Sequence, residues 1–280
     1  MSFRPAIPLA GVGGWALLQR VEAGQREVFE RRPDVAREAE RFAARIGEVT
    51  TAEALVRDRR LLSVALGAFG LEAEIDKRAL LRRVLESDPA DPESFANRLV
   101  DRRYREIAAA FGFGAPGGPE TVRPGFAARI VDAYKERAYE TALGESDPAM
   151  RLALNARREL AEIAAAPTAE TSGWFTVLGD RPLRRVVEGA YGLPDAFARL
   201  DVDRQREILE TKTRDLFGKA DPTVFADPDT VDALIRRFLA REAAAAGPVP
   251  TTPGATALAL LTGGGLGAGG SRNLLLSLSG

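Results

Sequence analysis

The pairs Asp58-Arg59 and Asp180-Arg181 are the residues of this chain whose types and spacing suggest shared chemistry. Each places a carboxylate beside a guanidinium, and each is followed at the same distance by a Gly-Ala-aromatic-Gly-Leu string. The first string is Gly67-Ala68-Phe69-Gly70-Leu71 and the second is Gly189-Ala190-Tyr191-Gly192-Leu193. Brought together across a pseudo-twofold, Asp58, Arg59, Phe69, Asp180, Arg181 and Tyr191 would form a paired interaction site. The alternative is a buried or rim salt bridge that fixes helix register. Two acidic clusters, Asp88/Asp91/Glu93 and Asp221/Asp227/Asp229, lie beside prolines, where carboxylates serve as helix caps and first-turn charges. Neither has the alternating acids, central glycine and final glutamate of a calcium loop. Gly263 to Gly270 superficially resembles a phosphate loop but lacks the Gly-Lys-Ser/Thr ending.

The absent residue types exclude more chemistry than the present ones nominate. With no Cys and no His in 280 residues, thiol nucleophiles, disulfides, Ser-His and Cys-His pairs and the usual zinc sites are all ruled out. A hydrolytic carboxylate pair stays open, yet nothing singles out two acids among forty. The chain is therefore expected not to be an enzyme, with no catalytic, cofactor-binding or metal-binding residues and no cofactor. Lys+Arg 39 against Asp+Glu 40 leaves a formal charge of -1, too balanced for a general attraction to nucleic acid, so no nucleic-acid partner is expected. The local run Arg102-Arg103-Tyr104-Arg105 lies between Asp101 and Glu106 and reads as a solvated, salt-bridged helix face. No stretch of about 18 apolar residues occurs, so no membrane span is expected. Pro5, Pro8, Gly11, Gly13 and Gly14 interrupt the N-terminal apolar region, which argues against a secretory signal.

The elements that must position these residues are helices. Apolar side chains recur at helical spacing over Gly14 to Arg32, over Pro33 to Ile46, and over Thr51 to Leu71 with Gly70 as its closing residue. Asp76 to Glu86 gives another helix, and a turn follows at Ser87 to Pro92. The pattern resumes from Ser94 to about Ala110. After a Pro/Gly linker come Phe126 to Gly144, Ala149 to Ala165, a break over Pro167 to Gly173, then Trp174 to Ala190, Val202 to Phe217 and Asp229 to Ala246. Trp15 and Trp174 read as packing anchors. No segment alternates with a period of two for long enough to require a strand.

The expected fold is thus all-α, a helical bundle made of two diverged copies of one module. Its parts are an extended lead at 1–13, module 1 at 14–114, a linker at 115–125, module 2 at 126–246 and a flexible tail at 247–280. The second copy has a longer segment before its Asp227-Pro228 entry than the first has before Asp91-Pro92. In each copy the first glycine lets a neighbouring helix approach, the aromatic fills the core, and the second glycine supplies a left-handed turn.

Several strings together carry a family resemblance. They are Pro8-Leu9, Gly14-Trp15 and Leu18-Gln19-Arg20, then Thr50 to Val56 and Asp58 to Leu62. Ala65 to Leu71, Arg83 to Glu86, Phe95 to Leu99 and Ala110 to Gly114 continue the pattern. Through them the chain resembles the alphaproteobacterial domain of unknown function 1217, well over the first 115 residues and more loosely beyond. The resemblance implies an uncharacterised helical protein of a kind often encoded among flagellar genes, and it brings no catalytic residues. Pro182 stands where the first copy has Arg60, a departure from strict equivalence of the two copies. The resulting expectation is a non-catalytic structural or assembly protein of the bacterial flagellum, with protein partners, located in the cytoplasm or exported by the flagellar machinery. The alternatives are a cytosolic helical adaptor unrelated to motility and, third, an enzyme that uses carboxylates alone.

Overall fold

Side-chain caps set the boundaries of most helices. The computed structural model describes residues 4–246, and the tail expected over 247–280 lies outside them. Among the described residues there are twelve α-helices and no strand, so the all-α expectation is correct. Helix α1 (Gly11–Glu30) is followed by α2 (Pro33–Arg45), whose Pro33 occupies the first turn, where its missing N–H costs nothing. Thr51 caps α3 (Ala52–Arg57), its Oγ1 accepting from the Ala54 N–H at 3.2 Å. Asp58 caps α4 (Arg59–Gly67), Asp101 caps α6 (Arg102–Phe111), and α5 (Arg78–Leu85) lies between them.

The remaining helices are α7 (Phe126–Gly144), α8 (Pro148–Ala165), α9 (Ala169–Gly179), α10 (Arg181–Tyr191), α11 (Val202–Phe217) and α12 (Pro228–Ala245). Asp147, Asp180 and Asp201 cap α8, α10 and α11 in the same way.

Three helix expectations are corrected. The stretch Thr51 to Leu71 is two helices because Asp58 leaves the helical region (φ -87, ψ 96) and its carboxylate accepts from the Arg60 and Leu61 N–H groups. Trp174 to Ala190 breaks at Asp180 for the same reason, and α9 begins earlier, at Ala169. A short acceptor that satisfies the exposed N–H groups of a new helix competes with continuation of the old one. The third correction is Ser94 to Asp101, which is turns rather than helix. There Asp88 and Asp91 accept from backbone N–H groups two residues on, while Asn97 Nδ2 donates to the Pro89 and Asp91 carbonyls at 3.0 and 2.6 Å.

Buried side chains form two hydrophobic cores. One is built from α2 through the first half of α7, with Phe42, Leu55, Leu62, Phe111 and Phe126. The other takes the second half of α7 and α8 to α12, with Leu160, Trp174, Val187 and Phe238. Into this second core α1 inserts Trp15, Leu18 and Phe29. The core boundary therefore runs through α7 near Tyr134, which packs against both cores, rather than through 115–125. The 115–125 segment is itself fastened: Thr121 is buried and its Oγ1 donates to the Val49 carbonyl at 2.6 Å. Among the described residues, those up to Glu242 form one compact unit.

Candidate functional site

The two Asp-Arg pairs serve first as helix starts. Asp180 accepts only from the Leu183 N–H, at 2.9 Å, whereas Asp58 accepts from both Arg60 and Leu61. The difference is Pro182, which has no N–H to give. It stands at a helix start where that N–H lacks an intrahelical partner anyway, so the exchange of Arg60 for Pro182 leaves the cap intact. At the other end, Leu71 N–H donates to Leu66 O at 2.9 Å and Leu193 N–H to Glu188 O at 3.0 Å. Gly70 (φ +66) and Gly192 (φ +65) supply the left-handed residue that this closure needs.

Gly67 and Gly189 lie under aromatic rings, where a Cβ would come within 2.8 Å of Tyr134 Cδ2 and of Phe238 Cδ2, respectively. The two rings differ in freedom, because Phe238 is fully buried and Tyr134 only partly. Gly189→Ala is therefore expected to cost roughly 1–2 kcal/mol through overpacking, and Gly67→Ala close to nothing, once the better helix propensity of Ala is counted. Urea unfolding of the two variants checks this, and equal losses would contradict it.

The site residues part company in their contacts. Arg59 Nη1 bonds Asp76 at 2.6 Å on the surface, Arg181 is exposed, and Phe69 packs on the edge of the first core. Tyr191 is buried, and its hydroxyl meets Thr213 Oγ1 at 2.7 Å. Because Thr213 donates to the Leu209 carbonyl, Tyr191 is the donor to Thr213. Burial pushes the Tyr191 phenol well above its usual range. Among the described residues no hydrogen bond or ion pair joins Asp58 or Arg59 to Asp180 or Arg181.

Asp180 instead belongs to an ionic cluster centred on Glu159 of α8, whose side chain is 4% exposed. Glu159 receives hydrogen bonds from Arg102, Arg137 and Arg158. Arg158 also grips both oxygens of Glu140 at 3.3 and 3.2 Å and touches Asn155 Oδ1 at 3.1 Å. Arg102 reaches on to Glu106 at 3.4 Å and to Asp180 at 3.7 Å. The expectation of a solvated face at Arg102–Arg105 is thus corrected at Arg102, which is drawn inward by these carboxylates. Burial opposes the charge on Glu159, but Arg158, Arg102 and Arg137 together outweigh it and hold the carboxyl below its ordinary value. Glu106 is shifted the other way, by burial and by the neighbouring charges of Glu159 and Asp180. Glu162 is likewise raised, by burial and Glu159.

A cleft of about 420 Å³ opens beside the cluster, with Arg137, Thr141, Arg151, Asn155 and Asp180 in its walls. Its inner acids, Glu140, Glu159 and Asp180, are all engaged by arginine. Ion-paired carboxylates of this kind hold helices in place. Among the described residues no group of three acidic side chains is placed to hold a metal ion. No described helix is long and apolar enough to cross a membrane.

Sequence reasoning missed this cluster. Its signal was a polar stripe on α8, where Arg158 and Glu159 lie three and four residues after Asn155 and Glu162 lies three after Glu159. A matching stripe at Arg137, Glu140 and Thr141 runs along α7.

The fold recurs in a crystal structure from Agrobacterium tumefaciens, solved as a structural-genomics target, to which this chain is similar at 26% identity. The match has a TM-score of 0.70 and covers 88% of this chain and 100% of that one. Among curated proteins none matches. The expected resemblance, strongest over the first 115 residues, is instead found over residues 68–231, where the chain matches the family described as a protein of unknown function, DUF1217. That match spans more than half of the sequence, with the ionic cluster inside it, and the chain belongs to this family.

Proposed function

We propose that this is a non-catalytic structural or assembly protein associated with the bacterial flagellum of an alphaproteobacterium, acting through protein partners. The observation that carries the non-catalytic half is that Glu140, Glu159 and Asp180, the three enclosed acids of the polar cleft, each lie within ion-pair distance of an arginine, while its fourth acid, Glu72, is exposed at the surface. A general acid or base needs a proton-accepting atom free to face a substrate, and these acids already face cations. The flagellar half draws its support from the resemblance to proteins often encoded among flagellar genes. We also infer that the two Asp-capped, Gly-closed segments descend from one duplicated module, supported by their matching caps, closures and ring-covered glycines.

Deletion of the gene is expected to impair swimming or filament assembly. Normal swimming and normal filaments would remove the flagellar reading. Fractionation then separates two versions of it: recovery outside the cell fits an exported component, and recovery in the cytoplasm alone fits an assembly factor. A pull-down that recovers a reproducible partner and no flagellar component would favour the adaptor reading.

A further inference from the structure

The groove between the irregular segment 96–101 and the outer face of α9 mixes apolar and polar residues, includes arginine and has no acid in its lining. Its lining includes Leu99, Val100, Arg105, Ser172, Phe175 and Thr176, and its volume is about 450 Å³. Val100 is 90% exposed, the highest value among the exposed large hydrophobic residues of the described chain, and Phe175 is 36% exposed. Helix α9 explains why an aromatic ring faces outward. Its inner face, Gly173, Trp174, Val177 and Leu178, is buried in the second core, while Phe175 lies on the opposite side. Phe175 is thus a large apolar side chain on a face otherwise made of Thr171, Ser172, Thr176 and Gly179.

Two of the hydroxyls along the groove are already engaged. Ser172 Oγ donates to the Thr168 carbonyl and Thr176 Oγ1 to the Ser172 carbonyl, each at 3.2 Å. Their donors are turned back onto the helix. The apolar strip continues onto α11, where Arg206 lies over the Phe175 ring at 5.5 Å. Val202, 48% exposed, precedes Arg206 by one turn on the same helix face.

Charge selects the occupant. No Asp or Glu lines the groove. Arg105 is exposed and has no ion pair among the described residues, and the same holds for Arg98, two residues before Val100. Arg206 is paired with Glu210 at 3.3 Å and adds no free charge.

We propose that this groove docks an acidic segment of a protein partner, with apolar side chains seated on Val100 and Phe175 and carboxylates facing Arg98 and Arg105. A second copy of the chain fits poorly, since a twofold contact here would set each basic rim against its own image. A membrane surface fits poorly as well, because two arginines contribute only about 1 kcal/mol each toward an anionic bilayer. The proposal rests on the protein-binding reading above and names the surface and the chemistry of the partner.

The test selects binders to the purified full-length chain from a random displayed peptide library. The selected peptides are then synthesised and their binding is followed by fluorescence anisotropy. Enriched peptides are expected to be rich in Asp and Glu and to carry Leu or Phe. Val100→Asp and Arg105→Glu are each expected to weaken them about tenfold or more, as loss of a buried apolar contact or reversal of a facing charge does. Phe175→Ser is the second variant for the apolar contacts, and circular dichroism confirms that all three are folded. A charge-reversed Lys peptide should bind Arg105→Glu better than wild type. The idea is overturned if no peptide is enriched, if the enriched peptides are basic, or if their affinity ignores all three substitutions. It is equally overturned if Val100→Asp instead abolishes a dimer seen by light scattering, or abolishes binding to phosphatidylserine vesicles. Because the readout is peptide binding, failure here leaves the flagellar reading standing, and normal swimming after deletion leaves the groove standing.

Discussion

Glu159→Gln is expected to lower the melting temperature by roughly 10 °C, since stripping the charge from a buried ion-paired group costs about 3–5 kcal/mol and each kcal/mol shifts a domain of this size by about 2–4 °C. The amide keeps the shape of the side chain but leaves Arg102, Arg137 and Arg158 sharing no central anion. The pH dependence identifies the cause. The Glu159 carboxyl is held below its ordinary value, so its contribution is complete above the unfolded-state value and is lost as pH falls through the lower, folded one. Wild type and Glu159→Gln should therefore converge in acid.

Glu106 has the opposite sign. Its folded value is raised, so its contribution is complete below the unfolded value and declines as pH rises through the folded one. Glu106→Gln should then be more stable than wild type at pH 7, with the gain vanishing near the lower end of carboxylate titration. Thermal unfolding of both variants across that range is the measurement, and a loss for Glu159→Gln that ignores pH would show that packing, not charge, is responsible.

Neither half of the chain is expected to fold alone. A fragment over 126–246 would lack Trp15 and Leu18, both fully enclosed, together with Phe29 and Val35 from the same core. A fragment over 1–114 would lack Phe126, Ile130 and Val131. Removing a large buried side chain costs about 2–5 kcal/mol, so three or four such losses are as large as the roughly 5–15 kcal/mol that holds a typical domain together. Circular dichroism and urea titration of each fragment should show no cooperative transition. A sharp transition from either piece would mean that the two cores are separable after all.

Helix type and most helix spans could be read from spacing because the 3.6-residue period of Val35, Ala39 and Phe42 needs no knowledge of what they pack against. The breaks at Asp58 and Asp180 were harder. Aspartate at a helix interior and aspartate at a cap look alike until the backbone shows which N–H groups its carboxylate accepts from. The ionic cluster was harder still. A polar stripe that faces water and one that faces another polar stripe have the same sequence, and Arg102 meets Glu159 across 57 residues. The place of α1 was hidden for a similar reason, since Trp15 marks an apolar face but its Nε1 donates to Asp232, at the far end of the chain.

The chain has two tryptophans, and both lie in the core that α1 completes. Trp15 donates to Asp232 at 2.6 Å and Trp174 to the Ala220 carbonyl at 2.8 Å, each with its ring withdrawn from water. The other core contains phenylalanine but no indole. Intrinsic emission excited at the red edge thus reports on one half of the folded body alone. Loosening around Phe42, Phe111 and Phe126 would be optically silent at those wavelengths, and a fluorescence trace that lags behind the helical signal would locate the first event of unfolding in the core that has no indole.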